Sequence, residues 1–265
     1  MPPLLPTAII TALCAASAYL WFGRWRQTAD PAAATPVPIP YVPPGAILFA
    51  LLWIIYHLVN DVTALLADLP PPIFDADRTL TALQQNCLLF AAGTVIMWTL
   101  LTRGEPGQFI AFAGRPERGR QYFHDGLVTV TLAWLPVFAT LWGSMPLRTP
   151  DRQHAVLQLL GERPSLEIYA WAVLSAVVVA PLFEELVFRV ILQTWLERHV
   201  GKTAWPLAAV LFAAVHRFPD SLAILPLALV LGDTYLRRRS YWEVVTAHGL
   251  FNAVMLALDA ISPHS

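Results

Sequence analysis

Apolar residues run in long blocks separated by short polar stretches, and each block predicts a helix. A bilayer crossing takes roughly 20 such residues. The first block covers residues 7–22 and ends in Gly23-Arg24-Trp25-Arg26. No Lys or Arg precedes it and the basic flank follows it, so it reads as a short transmembrane helix, not as a signal peptide. Residues 31–44 hold six prolines and read as an extended linker. Spans are predicted at 45–67, 82–102 and 126–142, separated by an acidic loop at 70–78 and a basic one at 103–122. Within the loop 148–164, residues 154–160 have the spacing of an amphipathic helix lying in the interface. Residues 166–199 read as one long helix. Three more spans are predicted at 203–217, 221–235 and 242–261. The expected fold is all-α, a polytopic transmembrane bundle of about eight spans. The sixth and seventh are short for a hydrocarbon core of about 30 Å, which short spans meet by tilting or thinning the bilayer. Three segments are expected: 1–44, the first helix and linker; 45–165, three spans with polar loops; and 166–265, a catalytic core of four helices.

Composition agrees with the pattern. The chain has 265 residues, 57% hydrophobic and 13% charged, with mean hydropathy +0.56. Soluble domains carry about 25% charged residues, so the expectation is a multi-pass protein of the cell membrane, in contact with lipid. A net charge of −1 speaks against a nucleic-acid surface. Cys14 and Cys87 both lie in apolar runs and suggest no disulfide framework or Cys-based metal site. No Gly-rich phosphate loop, HExxH or GxSxG is present. The basic residues alternate between loops. Arg24, Arg26, Arg103, Arg115, Arg118, Arg120, Arg198, Lys202, Arg237, Arg238 and Arg239 fall on one side, and Arg78, Arg148, Arg152, Arg163 and Arg217 on the other. The positive-inside rule puts the first set in the cytoplasm and both termini outside.

Against this background a few polar residues stand out. Residues 177–191 read VVVAPLFEELVFRVI, with Glu184, Glu185 and Arg189 inside an apolar run. An ionised group at mid-bilayer costs about 2.5–3.5 kcal/mol even on lenient scales and marks a site by default. Glu185 and Arg189 are spaced i, i+4 with the acid first, which favours an ion pair. Glu184 lies about 100° round the helix and is left free to act. Pro181 removes a backbone donor and loosens the helix beside the acids. Two further pairs follow at i, i+4 spacing: Phe212 with His216, and His248 with Asn252. At the helical rise, Glu184 stands about 21 Å from Arg198 and His216 about 20 Å from Thr203. His248 and Asn252 stand about 10 and 16 Å from Tyr241 on the same measure. Three helices thus bring a carboxylate, two imidazoles and an amide to a similar depth.

Such a set suits hydrolysis of a carbonyl. A carboxylate in a low-dielectric cavity becomes a stronger base, His216 can share the attacking water, and His248 and Asn252 can donate to an oxyanion. The same atoms allow a metal reading, with Glu184, His216 and His248 as zinc ligands. No carboxylate–His pair has metal-motif spacing within one helix, and the metal-free scheme is preferred.

The series EExxxR, FxxxH and HxxxN, in that order on late transmembrane helices, resembles the CAAX-protease and bacteriocin-processing (CPBP, or Abi) family of intramembrane proteases. The resemblance covers about residues 181–254. It implies Glu184 as the base activating water with His216, and His248 and Asn252 as the oxyanion pair, with Glu185, Arg189 and Phe212 in support. Members are variously described as metalloproteases or as metal-free glutamate proteases. Tyr235 and Ser240-Tyr241-Trp242 resemble the segment before the third motif, but Arg238-Arg239 stand where the family usually has Thr-Gly. The implied activity is cleavage of a peptide or membrane-protein substrate, including a prenylated C-terminus.

Blander roles stand beside these. Glu184 can serve as a hydrogen-bonded packing carboxyl, and His248 with Asn252 as interhelical glue. A transporter or proton relay would use the same groups, but two matching halves with interrupted helices are absent. A non-catalytic immunity or scaffold protein is a further alternative. His57, Asn60 and Asp61 form another polar face at i, i+3, i+4, read as packing, as a wet outer surface or as lining of the same cavity.

Overall fold

The computed structural model describes residues 4–27, 39–66, 74–103, 118–148 and 155–262. Most of the Pro-rich linker, of the 103–122 loop and of 148–154, including His154, lies outside the described residues. All regular structure among the described residues is helical. The helices are α1 (Leu4–Gln27), α2 (Pro44–Leu66), α3 (Ala76–Thr102), α4 (Gly119–Gly143) and α5 (Ala155–Glu162), then α6 (166–200), α7 (Ala204–Ala214), α8 (Asp220–Arg238) and α9 (Tyr241–Ala260).

Five stretches are long and apolar enough to cross a membrane: Leu4–Arg24, Pro44–Thr63, Ala76–Thr102, Gly119–Gly143 and the run Leu166–Ala214. This is a multi-pass membrane bundle. The expectation of eight spans divides the last run in two and adds α8 and α9. The division is real, because Gly201 turns the chain with φ +63°, a region that favours glycine. However, α7 has only 11 residues, about 16 Å at the helical rise, and cannot cross alone. It ends at Ala214, three residues short of the expected Arg217. The last two helices are long enough, but α8 carries Asp220, Asp233, Arg237 and Arg238, and α9 carries Glu243 and Asp259, which lower their apolarity.

α6 is the axis of the bundle. It packs against α2, α3, α7 and α9, while α4 holds α1, α8 and α9 on the other side. Ser165 caps its start by accepting from the Ile168 amide. The expected interfacial helix forms as α5 over Ala155–Glu162, and it is not free in the interface. Leu159 and Leu160 are buried against Ile168 and Ala172 of α6, with Phe74 and Leu80 closing the cluster.

The polar ends sort as the alternating loops require. At one end, Arg24 meets Asp233 at 2.5 Å, Arg238 meets Asp125 and Glu243, and Arg198 donates to the Ile39 carbonyl. At the other, Arg148 meets Asp220 at 2.6 Å and Arg163 meets Asp77 at 2.5 Å. The Arg238-Arg239 departure also resolves here. Arg239 caps α8 in the left-handed region, φ +50°, and its amide closes on the Tyr235 carbonyl at 2.9 Å. A glycine would hold this turn at no steric cost. Arg239 holds it while pairing with Glu197 of α6.

Candidate active site

The site begins with irregular backbone. α6 widens twice to i→i+5 bonding, over Leu174–Val179 and Leu186–Gln193, with an ordinary turn over Ala180–Glu185 between them. Such widened turns often occur at functional sites. Pro181 explains one consequence. In the widened register the Ala180 amide bonds to the Ser175 carbonyl, so the next donor, for Ala176, would come from residue 181, which has none. The Ala176 carbonyl is filled instead by the Asn252 side chain, whose Nδ2 donates to it at 2.7 Å. One turn away, a Cβ on Gly249 would lie 2.6 Å from the Val177 carbonyl oxygen, so only glycine lets α9 approach this closely. The Tyr241 hydroxyl fastens the same two helices by donating to the Leu182 carbonyl at 2.7 Å.

This close seam brings three titratable groups together. Glu185 is fully buried and uses both oxygens: Oε2 accepts from Arg189 Nε at 3.0 Å, and Oε1 meets His248 Nδ1 at 2.9 Å. With Nδ1–H donating to the carboxylate, the opposite ring nitrogen is aimed elsewhere. His248 Nε2 lies 3.9 Å from Glu184 Oε2. Glu184 is the more open of the adjacent acids, with 12% of its side chain exposed against none for Glu185. The expected Glu185–Arg189 pair forms, and Glu184 stands outside it, beside His248. What the spacing did not reveal is that Glu185 also fixes His248.

Phe212 sits at the hub. Its ring lies 4.9 Å from the His216 ring, 5.7 Å from His248 and 5.0 Å from the Arg189 guanidinium. His216 stands just beyond the end of α7, half-buried, with Nδ1 donating to the Phe212 carbonyl at 2.7 Å and Nε2 left over. Trp53 of α2 and Phe183 and Phe188 of α6 close the wall, with Trp53 5.2 and 6.0 Å from the two phenylalanines. The face left open in α2 is partly assigned. His57 stacks on Trp53 at 4.4 Å and lies within electrostatic reach of Asp61 and His216. Asn60 is exposed.

The arrangement changes two expectations. Asn252, expected as a free oxyanion donor, commits one hydrogen to Ala176. Glu184, His216 and His248, the alternative zinc set, are not placed as metal ligands: among the described residues no three His, Cys, Asp or Glu side chains are placed to hold a metal ion. Zinc sites use three or four protein ligands, and no such set is gathered among the described residues. The residues present do not fit the metal, and no step is drawn through one.

Fold and site together define a class: a helix-bundle membrane protein with a carboxylate–imidazole cluster buried among its spans. Residues 166–254 match the family described as Type II CAAX prenyl endopeptidase Rce1-like. The UPF0177 protein in abiGi 5'region of Lactococcus lactis subsp. cremoris is 34% identical over 84 residues, which cover 31% of this chain and 35% of that relative. The chain therefore spans about a third of the length of the curated relative it matches. No solved structure matches. Over residues 166–254, then, this chain is similar to the Rce1-like CAAX prenyl endopeptidases.

Proposed function

We propose that this protein is an intramembrane endopeptidase that cleaves a peptide or membrane-protein substrate, with Glu184 as its base. The observation that carries the reading is the pair Glu184–His248, 3.9 Å apart, with His248 held from behind by a fully buried Glu185. Glu184 takes a proton from a water that it shares with His216. The water oxygen bonds to the scissile carbonyl carbon, and the carbonyl electron pair moves to oxygen. In its protonated form His248 presents Nε2–H to that oxyanion, an interaction worth about 3–4 kcal/mol in acyl transfer. Asn252 contributes its second amide hydrogen, the first being held by Ala176. Collapse breaks the C–N bond, and Glu184 returns the proton to the leaving amine. Arg189 holds the other oxygen of Glu185 and so fixes the orienting carboxylate in place. The family match supports CAAX-type proteolysis in the membrane. The end bearing Arg237–Arg239 would face the cytoplasm, leaving both termini outside.

Membrane peptides from cells carrying the wild type and Glu184→Gln are compared by mass spectrometry. The expected result is a set of substrates that accumulate uncut with Glu184→Gln, and equally with His216→Ala. Purified protein should keep its activity in chelator. Full turnover by Glu184→Gln would remove the assigned base, and a complete, zinc-reversible loss in chelator would defeat the metal-free scheme.

A further inference from the structure

Hydrolysis inside a membrane needs water, and a second row of buried polar groups leads from the site to the basic end of the bundle. Along α6, Glu185, Arg189, Gln193 and Glu197 follow one another at four-residue steps, and Thr194 comes five residues after Arg189. In the widened i→i+5 helix, residues so spaced lie over one another. Their bonds confirm the shared face: the Thr194 hydroxyl donates back to the Arg189 carbonyl at 3.2 Å. α8 faces the far part of the row. Gln193 Nε2 donates to the Gly232 carbonyl at 2.8 Å, Tyr235 lies beside Thr194, and Arg239 pairs with Glu197 and stacks on Tyr235 at 5.6 Å. At the helical rise the row is about 18 Å long.

The row leaves many polar atoms over. Among the described residues, the buried side-chain atoms without a hydrogen-bond partner are Arg189 Nη1 and Nη2, Gln193 Oε1, the Tyr235 hydroxyl, Arg239 Nε and Nη1, and two nitrogens of Arg148. All but the Arg148 atoms lie on this row. Arg189, Gln193 and Tyr235 are fully buried and Arg239 nearly so. One unsatisfied buried group costs about 1–3 kcal/mol, so six on one line call for a shared partner. Two features fix its chemistry. Each guanidinium already has a carboxylate, Glu185 or Glu197, so the row has no spare positive charge to hold an anion. The orphans also include donors and an acceptor, which a molecule that both donates and accepts can satisfy.

We propose that this row, between the second widened stretch of α6 and the facing side of α8, binds a file of ordered water molecules and carries water to Glu184 from the end bearing Arg239. The proposal gives a source to the water required by the peptidase reading and rests on that reading for its purpose. Its test does not. The full-length protein in lipid nanodiscs is exposed to a microsecond hydroxyl-radical pulse generated by X-rays, which modifies buried side chains only where water is bound beside them. Tyr241 is an internal control, because it is equally buried but its hydroxyl is already bonded to the Leu182 carbonyl. Tyr235 should be modified well above Tyr241. Gln193→Leu should lower Tyr235 modification and cause a several-fold drop in kcat with KM unchanged. Tyr235 as inert as Tyr241 in the wild type would overturn the proposal whether or not Gln193→Leu folds. So would protection of Tyr235 by added inorganic phosphate, which would make the row an anion site. A wild-type protein that cleaves no membrane peptide but whose Tyr235 is labelled well above Tyr241 would instead remove the peptidase reading and leave the water file in place.

Discussion

Arg189 and Arg239 are both buried guanidinium groups, each paired with a glutamate and stacked on an aromatic ring, but they stand in different kinds of place. Arg189 lies at the centre of the bundle and takes its acid from its own helix, four residues back, with neither side chain exposed. Arg239 lies at the basic end and takes its acid from another helix, 42 positions earlier, where 11% of the Glu197 side chain is exposed. Glu185 serves two partners and Glu197 one. A buried charge is tolerated only while its partners are in place, so the central pair is rigid by necessity and the outer pair has solvent to fall back on.

Substitutions can break this comparison in order of size. Glu185→Ala leaves Arg189 without its carboxylate and His248 Nδ1 without its partner at buried positions, and should cost about 3–5 kcal/mol, read by steric-trap unfolding in bicelles. Glu197→Ala strips only Arg239 and should cost about 2 kcal/mol in the same assay; a loss equal to that of Glu185→Ala would erase the distinction. Asn252→Ala orphans the Ala176 carbonyl, for an expected loss of about 1–2 kcal/mol and a lower Tm in detergent. Arg237, which pairs with Asp233 one turn back while 63% of its side chain is exposed, should tolerate Ala within about 0.5 kcal/mol, and added salt should hide even that.

The contrast also shows what could be read from the chain. The Glu185–Arg189 pair was legible because a helix puts i and i+4 together whatever surrounds it, and the long apolar runs announced α1 to α4 and α6 for the same local reason. Glu185 with His248 spans 63 positions and Arg239 with Glu197 spans 42, and no spacing rule on one helix reaches across a bundle. Asn252 was expected to face substrate because the sequence did not show that α6 widens at residue 174, which is what leaves Ala176 for it to satisfy. The role left open for His57 depended on how α2 rolls against α6, set by Trp53 packing on Phe183 and Phe188. The early end of α7 had no signal either: Val215 and His216 are as compatible with helix as their neighbours, and the chain leaves it there so that His216 can fold back onto Phe212.

The two widened turns of α6 each carry about one residue more than an ordinary turn would. Deleting Leu174 or Ser175, the residues of Leu174–Val179 that precede Ala176, would let that stretch close to normal pitch, with the Ala180 amide four residues after Ala176. The bundle would still assemble, but the Ala176 carbonyl would recover a backbone donor and Asn252 would lose its berth. Gain or loss of this pocket is thus one codon away, and a silent cousin of this protein could differ from it by less than its sequence identity suggests.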